Sequence, residues 1–305
     1  MIVPTLDDLL VLRGTARGWS LRAQTAARAT LLGAHRSSFR GRGLEFQEVR
    51  PYVAGDDPRS IDWRVTARRG RPHTKLFQEE RERPVWLLVD LHAGLFFGTR
   101  RQLKSTVAVR AAALLAWTAS LGGDRVGAVI AGTASGQVAA PPRVLPPRAR
   151  EAGVLPILET LIELQPTAPA APARGSLHGA LLSLAPLVHP GSLVAVLSDF
   201  ASLDAAGDVL WSKIAAHSEF RLFWITDSLE EQGLPNGVFR GGVPNALRIV
   251  DGAKARAAWL AAWREREARI DALARRHRMP VVRLDTAAST EEILRPVLRG
   301  PKAAA

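Results

Sequence analysis

Val85-Trp86-Leu87-Leu88-Val89-Asp90 is the stretch that decides the fold. Side chains alternate across a strand, so an unbroken apolar run leaves no polar face and has to be covered on both sides. That is the condition of a central strand in a parallel sheet, where crossover helices lie on each face. Asp90 then falls at the carboxyl end of the strand, the edge at which open α/β sheets bind ligands.

Downstream of this run, helical and strand-like patterns alternate. Apolar periodicity predicts helix 101–121, strand 125–131, helices 150–163 and 176–188, strand 193–198, helix 204–217, strand 220–226, helix 253–278, strand 280–284 and helix 290–298. The expected fold is α/β, a doubly wound, mostly parallel sheet with helices on both faces, preceded by a mixed N-terminal segment. The expected organisation is residues 1–84 as that segment, 85–300 as the α/β domain and 301–305 as a tail.

Upstream, Glu45 to Tyr52 alternates like an exposed strand, and Lys75 to Arg83 like a second strand with a charged face. Between them, Gly55-Asp56-Asp57-Pro58 reads as a turn into a helix, with Asp57 capping the free amides and Pro58 in the first helical position. That helix would pass through Trp63 and stop at Gly70. Arg59 and Asp62 stand side by side on its surface, while Arg64 and Arg68 are left to pair with acids elsewhere, as in a rigid ion-paired clasp.

The composition, 47% hydrophobic and 23% charged over 305 residues, is that of a globular chain and excludes global disorder. The formal charge of +12 raises a nucleic-acid reading, centred on Arg-rich segments 9–44 and 254–278. Against it, only Trp19 and Phe39 interleave with the arginines of the first segment, too few for a base-stacking groove. Trp259 and Trp263, one helical turn apart in the second segment, fit either core packing or a partner face. The absence of cysteine excludes disulfides, thiolate metal sites and Cys nucleophiles. The opening residues Met1 to Asp8 lack the pattern of a secretory signal, and the uncharged stretch 175–198 is broken by Pro186, Pro190 and Gly191. A cytoplasmic protein without a transmembrane segment is expected.

The chemistry-bearing positions follow the apolar runs: Asp90, His92 and Gly94 after the first, and Ser198-Asp199-Phe200 after Leu193–Leu197. Two carboxylates at strand ends suit either a hard cation or helix capping. A metal-assisted hydrolase using Asp90 and Asp199 is the enzymatic alternative, but no phosphate-binding loop, H-E-x-x-H or G-x-S-x-G motif accompanies them.

The run Gly41-x-Gly43-Leu44-Glu45-Phe46-x-x-x-Arg50-x-Tyr52-x-x-Gly55-Asp56-Asp57-x-Arg59-x-Ile61-Asp62-Trp63-x-x-Thr66-Ala67-Arg68, with Lys75-x-Phe77-x-Glu79-Glu80-Arg81 and a strand ending in Asp90, resembles the domain of unknown function 58 family. Gly123-Asp124-Arg125-Val126-Gly127 and Ser198-Asp199-Phe200 extend the resemblance across nearly the whole chain. That family is similar to von Willebrand factor A domains and is commonly encoded beside MoxR-type AAA+ ATPases. The resemblance implies a non-enzymatic interaction module, an adaptor or partner of such an ATPase and of other von Willebrand factor A-like proteins, with no specific nucleic-acid partner.

It also implies a metal-ion-dependent adhesion site at the sheet top, built on Asp-x-Ser-x-Ser, a hydroxyl on a second loop and an Asp on a third. Here the first motif reads Asp90-Leu91-His92-Ala93-Gly94, so both hydroxyls are replaced. Asp199 matches the third loop, and Ser176 is the candidate for the second. Glycine offers no side-chain ligand and imidazole suits softer metals than Mg²⁺, so a degenerate, metal-free site is expected. In it, His92 would act as a cation between Asp90 and Asp199 or, failing that, would hold a transition metal with them. The same four residues, Asp90, His92, Ser176 and Asp199, would form the partner-docking surface.

Overall fold

The computed structural model describes residues 3–21, 44–53, 58, 61–79, 82–132, 141–169, 176–203, 207–242 and 247–298. The chain divides into two compact units, Met1–Arg28 with Arg83–Ala305, and Ala29–Glu82.

In the larger unit a six-stranded sheet comprises β3 (Pro84–Leu91), β4 (Arg125–Gly132), β5 (Arg143–Arg148), β6 (Leu193–Ser198), β7 (Glu219–Thr226) and β10 (Val281–Asp285). Their spatial order is β10-β7-β6-β3-β4-β5. All neighbours are parallel except β5, which pairs antiparallel with β4 at the edge. The mostly parallel sheet is as expected, and the alternation of side chains along β3 explains it. Val85, Leu87, Val89 and Leu91 enter one core, with helices Leu6–Ala16, Lys104–Leu121, Glu151–Leu164 and Thr290–Leu298. Trp86 and Leu88 enter the other, with helices Ser176–Leu184, Asp208–Ala215 and Gly252–His277. Each large apolar side chain so covered contributes about 1.5–3 kcal/mol.

Helix Lys104–Leu121 is buried on nearly every side from Lys104 to Ala119. Its alanines let the sheet and the flanking helices approach closely, and Trp117 Nε1 donates to the Leu9 carbonyl at 3.0 Å, joining the first helix to it. Residues 1–28 thus go with the α/β unit rather than with residues 29–82.

Four elements carry no expectation in the periodicity. Strand β5 contains Pro146 and Pro147 and has no apolar run, which an edge position tolerates. Helix Ser228–Gln232 and the antiparallel hairpin β8 (Val238–Gly241) with β9 (Arg248–Asp251) are too short for a period to register. Helix 176–188 in fact ends at Leu184, ahead of Pro186.

In the smaller unit β1 (Leu44–Pro51) pairs antiparallel with β2 (His73–Glu79), with a bulge between Phe46 and Glu48. The intervening helix spans Trp63–Arg69 and ends at Gly70, whose φ of 69° is left-handed. A 3₁₀ turn does form at Pro58, whose carbonyl accepts from the Ile61 amide at 3.3 Å, but the expected single helix from Pro58 to Gly70 is interrupted at Ile61 and Asp62. Ile61 bridges to Thr74 and the Asp62 amide donates to the His73 carbonyl at 2.8 Å, which holds both residues extended. The α-helix begins only afterwards, with Asp62 as the cap: its Oδ1 accepts from the amides of Arg64 (3.0 Å) and Val65 (3.2 Å). Gly55, Asp56, Asp57 and Arg59 lie outside the described residues, as do 22–43 and the tail.

Candidate functional site

From β3 the chain steps to β4 on one side, then crosses back to β6 on the other. The gap between the carboxyl ends of β3 and β6 is thus the switch point at which such sheets form a ligand crevice. Register places Val89 opposite Leu197, so Asp90 and Ser198 end up as neighbours. Ser198 Oγ donates to Asp90 Oδ2 at 2.9 Å and accepts from the Phe200 amide at 2.9 Å. Phe200 is fully buried at a φ of 54°, unusual for an aromatic residue, and the turn it makes delivers Asp199 into the crevice.

Both oxygens of Asp199 are engaged there. Oδ1 lies 3.0 Å from His92 Nε2 and accepts from the Ala201 amide at 2.9 Å, while Oδ2 accepts from Lys104 Nζ at 2.8 Å. The Lys104 ammonium also lies 3.1 Å from each oxygen of Glu230, and Arg266 Nη1 donates to Glu230 Oε1 at 3.2 Å. Lys104 is 1% exposed and Asp199 3%. Asp227 caps and anchors the short helix Ser228–Gln232 that carries Glu230: its carboxylate accepts from the Thr99 amide (2.8 Å), Thr99 Oγ1 (2.6 Å) and the Leu229 amide (2.9 Å). Trp259 Nε1 donates to the Glu230 carbonyl at 3.2 Å.

Charge is balanced within the cluster. Asp90, Asp199 and Glu230 face Lys104 and Arg266, and a protonated His92 brings the sum to zero. Burial opposes the charged form of His92, and its Nδ1 has no hydrogen-bond partner among the described residues. The adjacent Asp199 and Asp90 carboxylates outweigh this, and the imidazole pKa is raised. For Lys104, too, burial is outweighed by Asp199 and Glu230, so its pKa rises. Burial pushes Asp199 up, but Lys104 and His92 together hold it well below the usual carboxylate range.

The geometry does not fit the divalent cation of an adhesion site. The oxygen of Asp199 that would face a metal already holds an ammonium at 2.8 Å, and His92 takes the other. Among the described residues no group of three or more His, Asp, Glu or Cys is arranged to hold an ion. A second ion would have to displace a fixed one.

Of the residues singled out in the sequence, the structure brings Asp90, His92 and Asp199 together. Ser176 opens helix Ser176–Leu184, and only its backbone is described. Arg50, Tyr52, Asp62 and Trp63 belong to the smaller unit, as does the backbone of Glu45. Sequence reasoning missed Lys104, Glu230 and Arg266. One signal was available: Lys104 opens an Ala-rich helix, where the dipole disfavours a cation, so acids from elsewhere had to hold it.

The Arg-rich helix Gly252–His277 is largely accounted for. Lys254, Arg256, Arg266, Arg269, Arg275 and Arg276 each engage a carboxylate or carbonyl. Trp263 is buried and stacks on Trp224 at 4.9 Å, so it packs the core rather than a partner face. Among the described residues no helix is long and apolar enough to cross a membrane.

The chain is 36% identical over 201 residues to Uncharacterized protein Rv1480 of Mycobacterium tuberculosis and, equally, to Uncharacterized protein Mb1516 of Mycobacterium bovis. The match covers 65% of this chain and 59% of each relative, so the chain spans about three-fifths of their length. Among solved structures, the conserved hypothetical protein BatB of Bacteroides thetaiotaomicron aligns at 13% identity and a TM-score of 0.42, over 69% of this chain and 94% of that one. The family model "Protein of unknown function DUF58" matches residues 48–236, well over half the chain, and the chain belongs to that family.

Proposed function

We propose that this chain is a non-enzymatic, metal-independent docking module of the von Willebrand factor A-like kind, serving in the cytoplasm as adaptor or partner of a MoxR-type AAA+ ATPase. The ATPase and the link to other von Willebrand factor A-like proteins come from the family resemblance. The observation that carries the reading is the crevice at the switch point, filled by Lys104 held between Asp199 and Glu230. A hydrolase would need a carboxylate free to take a proton or hold an ion, whereas both oxygens of Asp199 are saturated.

What the same end of the sheet offers a partner is apolar surface. The hairpin β8–β9 follows the carboxyl end of β7 and leads into helix Gly252–His277, and on it Val238 is 73% exposed and Ile249 77%. Both sit on one face, because Val238 pairs with Asp251 and Arg240 with Ile249. An exposed apolar patch beside a rigid, charge-neutral platform suits protein docking.

The test mixes the full chain with the MoxR-type ATPase of the same genome and follows the complex by sedimentation. A stable complex is expected, weakened by Val238→Glu with Ile249→Glu, while calorimetry of the chain alone shows no saturable Mg²⁺ binding at millimolar concentration. Absence of a complex, or tight Mg²⁺ binding, would overturn the reading.

A further inference from the structure

The smaller unit carries a basic face around one exposed tryptophan. Trp63 begins helix Trp63–Arg69 and is 70% exposed; among the described residues it is the only tryptophan or phenylalanine so placed. From Trp63 to Lys75 the sequence holds five bases and no acid. Arg64, Arg68, Arg69 and Arg71 are all exposed, and the side chains of these four have no ion-pair or hydrogen-bond partner among the described residues. Among the described residues no acid pairs with Arg64 or Arg68, while Asp57 and Arg59 of the expected clasp lie outside them.

This arrangement gains the unit little by itself. Arg64 and Arg68 are one turn apart on the same helix face, where like charges repel. Arg68 and Arg69 suit the carboxyl end of the helix dipole, but Arg64 stands in the first turn, where a cation is disfavoured. Exposing an indole forgoes the burial that stabilises the other described tryptophans, of which Trp19, Trp86, Trp117, Trp211, Trp224 and Trp263 are all buried.

We infer that this face docks an acidic protein surface, with Trp63 as the apolar anchor and Arg64, Arg68, Arg69 and Arg71 as the charges around it. Trp and Arg are the residues most enriched where a few side chains carry the energy of a protein interface. The charge of the segment selects a carboxylate-rich partner and speeds its encounter. A single-stranded nucleic acid is less well matched, because base stacking uses successive aromatic platforms and the face presents one. The inference concerns residues 29–82 and stands apart from the sheet-top reading.

The test uses the full chain and fluorescence anisotropy with three labelled probes: a Glu-rich peptide with a central Phe, the same peptide with Ser in place of Phe, and a single-stranded oligonucleotide of equal charge. Saturable binding of the Phe peptide is expected, weaker for the Ser peptide. Trp63→Ala should weaken it about thirtyfold, the size of a hot-spot residue. Arg64→Glu with Arg68→Glu should abolish it, and Val238→Glu with Ile249→Glu should leave it intact. Circular dichroism and thermal melts of the exposed-site variants should match the parent. No binding of the Phe peptide, unchanged binding by either Trp63→Ala or the charge reversal, or tighter binding of the oligonucleotide would each overturn the inference.

Discussion

At the scale of single residues, the buried cluster makes stability depend on pH in a definite direction. The folded-state pKa of His92 is raised, burial being outweighed by Asp199 and Asp90, so folding binds its proton more tightly. Its contribution is complete below the ordinary value of about 6.5 and is lost as pH rises through the higher folded value. Asp199 behaves oppositely: Lys104 and His92 hold it low despite burial, so its contribution exists above about 3.8 and disappears as pH falls. His92→Gln should therefore be less stable than the parent near pH 5.5, with the gap closing towards alkaline pH, as read from denaturant midpoints across the range. Parallel profiles for the two proteins would refute the assignment. Asp90, His92 and Asp199 were legible because each lies within three residues of the end of an apolar run. Lys104 and Glu230 were not, since they lie 126 residues apart and no local pattern pairs them.

At the scale of elements, the helix in the smaller unit depends on its cap. One Asp62 oxygen satisfies two of the amides that the first turn leaves without partners. Asp62→Ala should cost about 0.5–2 kcal/mol and speed hydrogen exchange at the Arg64 and Val65 amides. A variant with parent-like exchange at both would show that the cap is dispensable. The sequence pointed to Asp57 because Asp-Pro is a strong local start signal, and a 3₁₀ turn does form at Pro58; the bridge from Ile61 to Thr74 interrupts it and defers the α-helix. Long elements were recovered closely, as with helix 253–278, which spans Gly252–His277. A Pro-bearing edge strand and a hairpin of two four-residue strands hold too few periods to announce themselves.

At the scale of the whole molecule, the sheet was legible because β3 is apolar on both faces and only a two-sided cover satisfies it. The partition of the chain was harder to read, since residues 1–28 return to the α/β unit through contacts such as the Trp117 indole on the Leu9 carbonyl. The net charge of +12 is equally misleading when taken alone. In the long helix most of the bases engage carboxylates or carbonyls, so that helix offers a polyanion only diffuse charge. Diffuse arginines bind DNA by releasing counterions, an affinity that falls steeply between low salt and about 200 mM. Anisotropy with a labelled duplex should accordingly give sequence-blind binding that vanishes at physiological salt. A complex made through a buried apolar patch should persist there, because screening weakens mainly its rim charges. Sequence-selective DNA binding that survives physiological salt would make the Arg-rich surface the functional one and displace the adaptor reading.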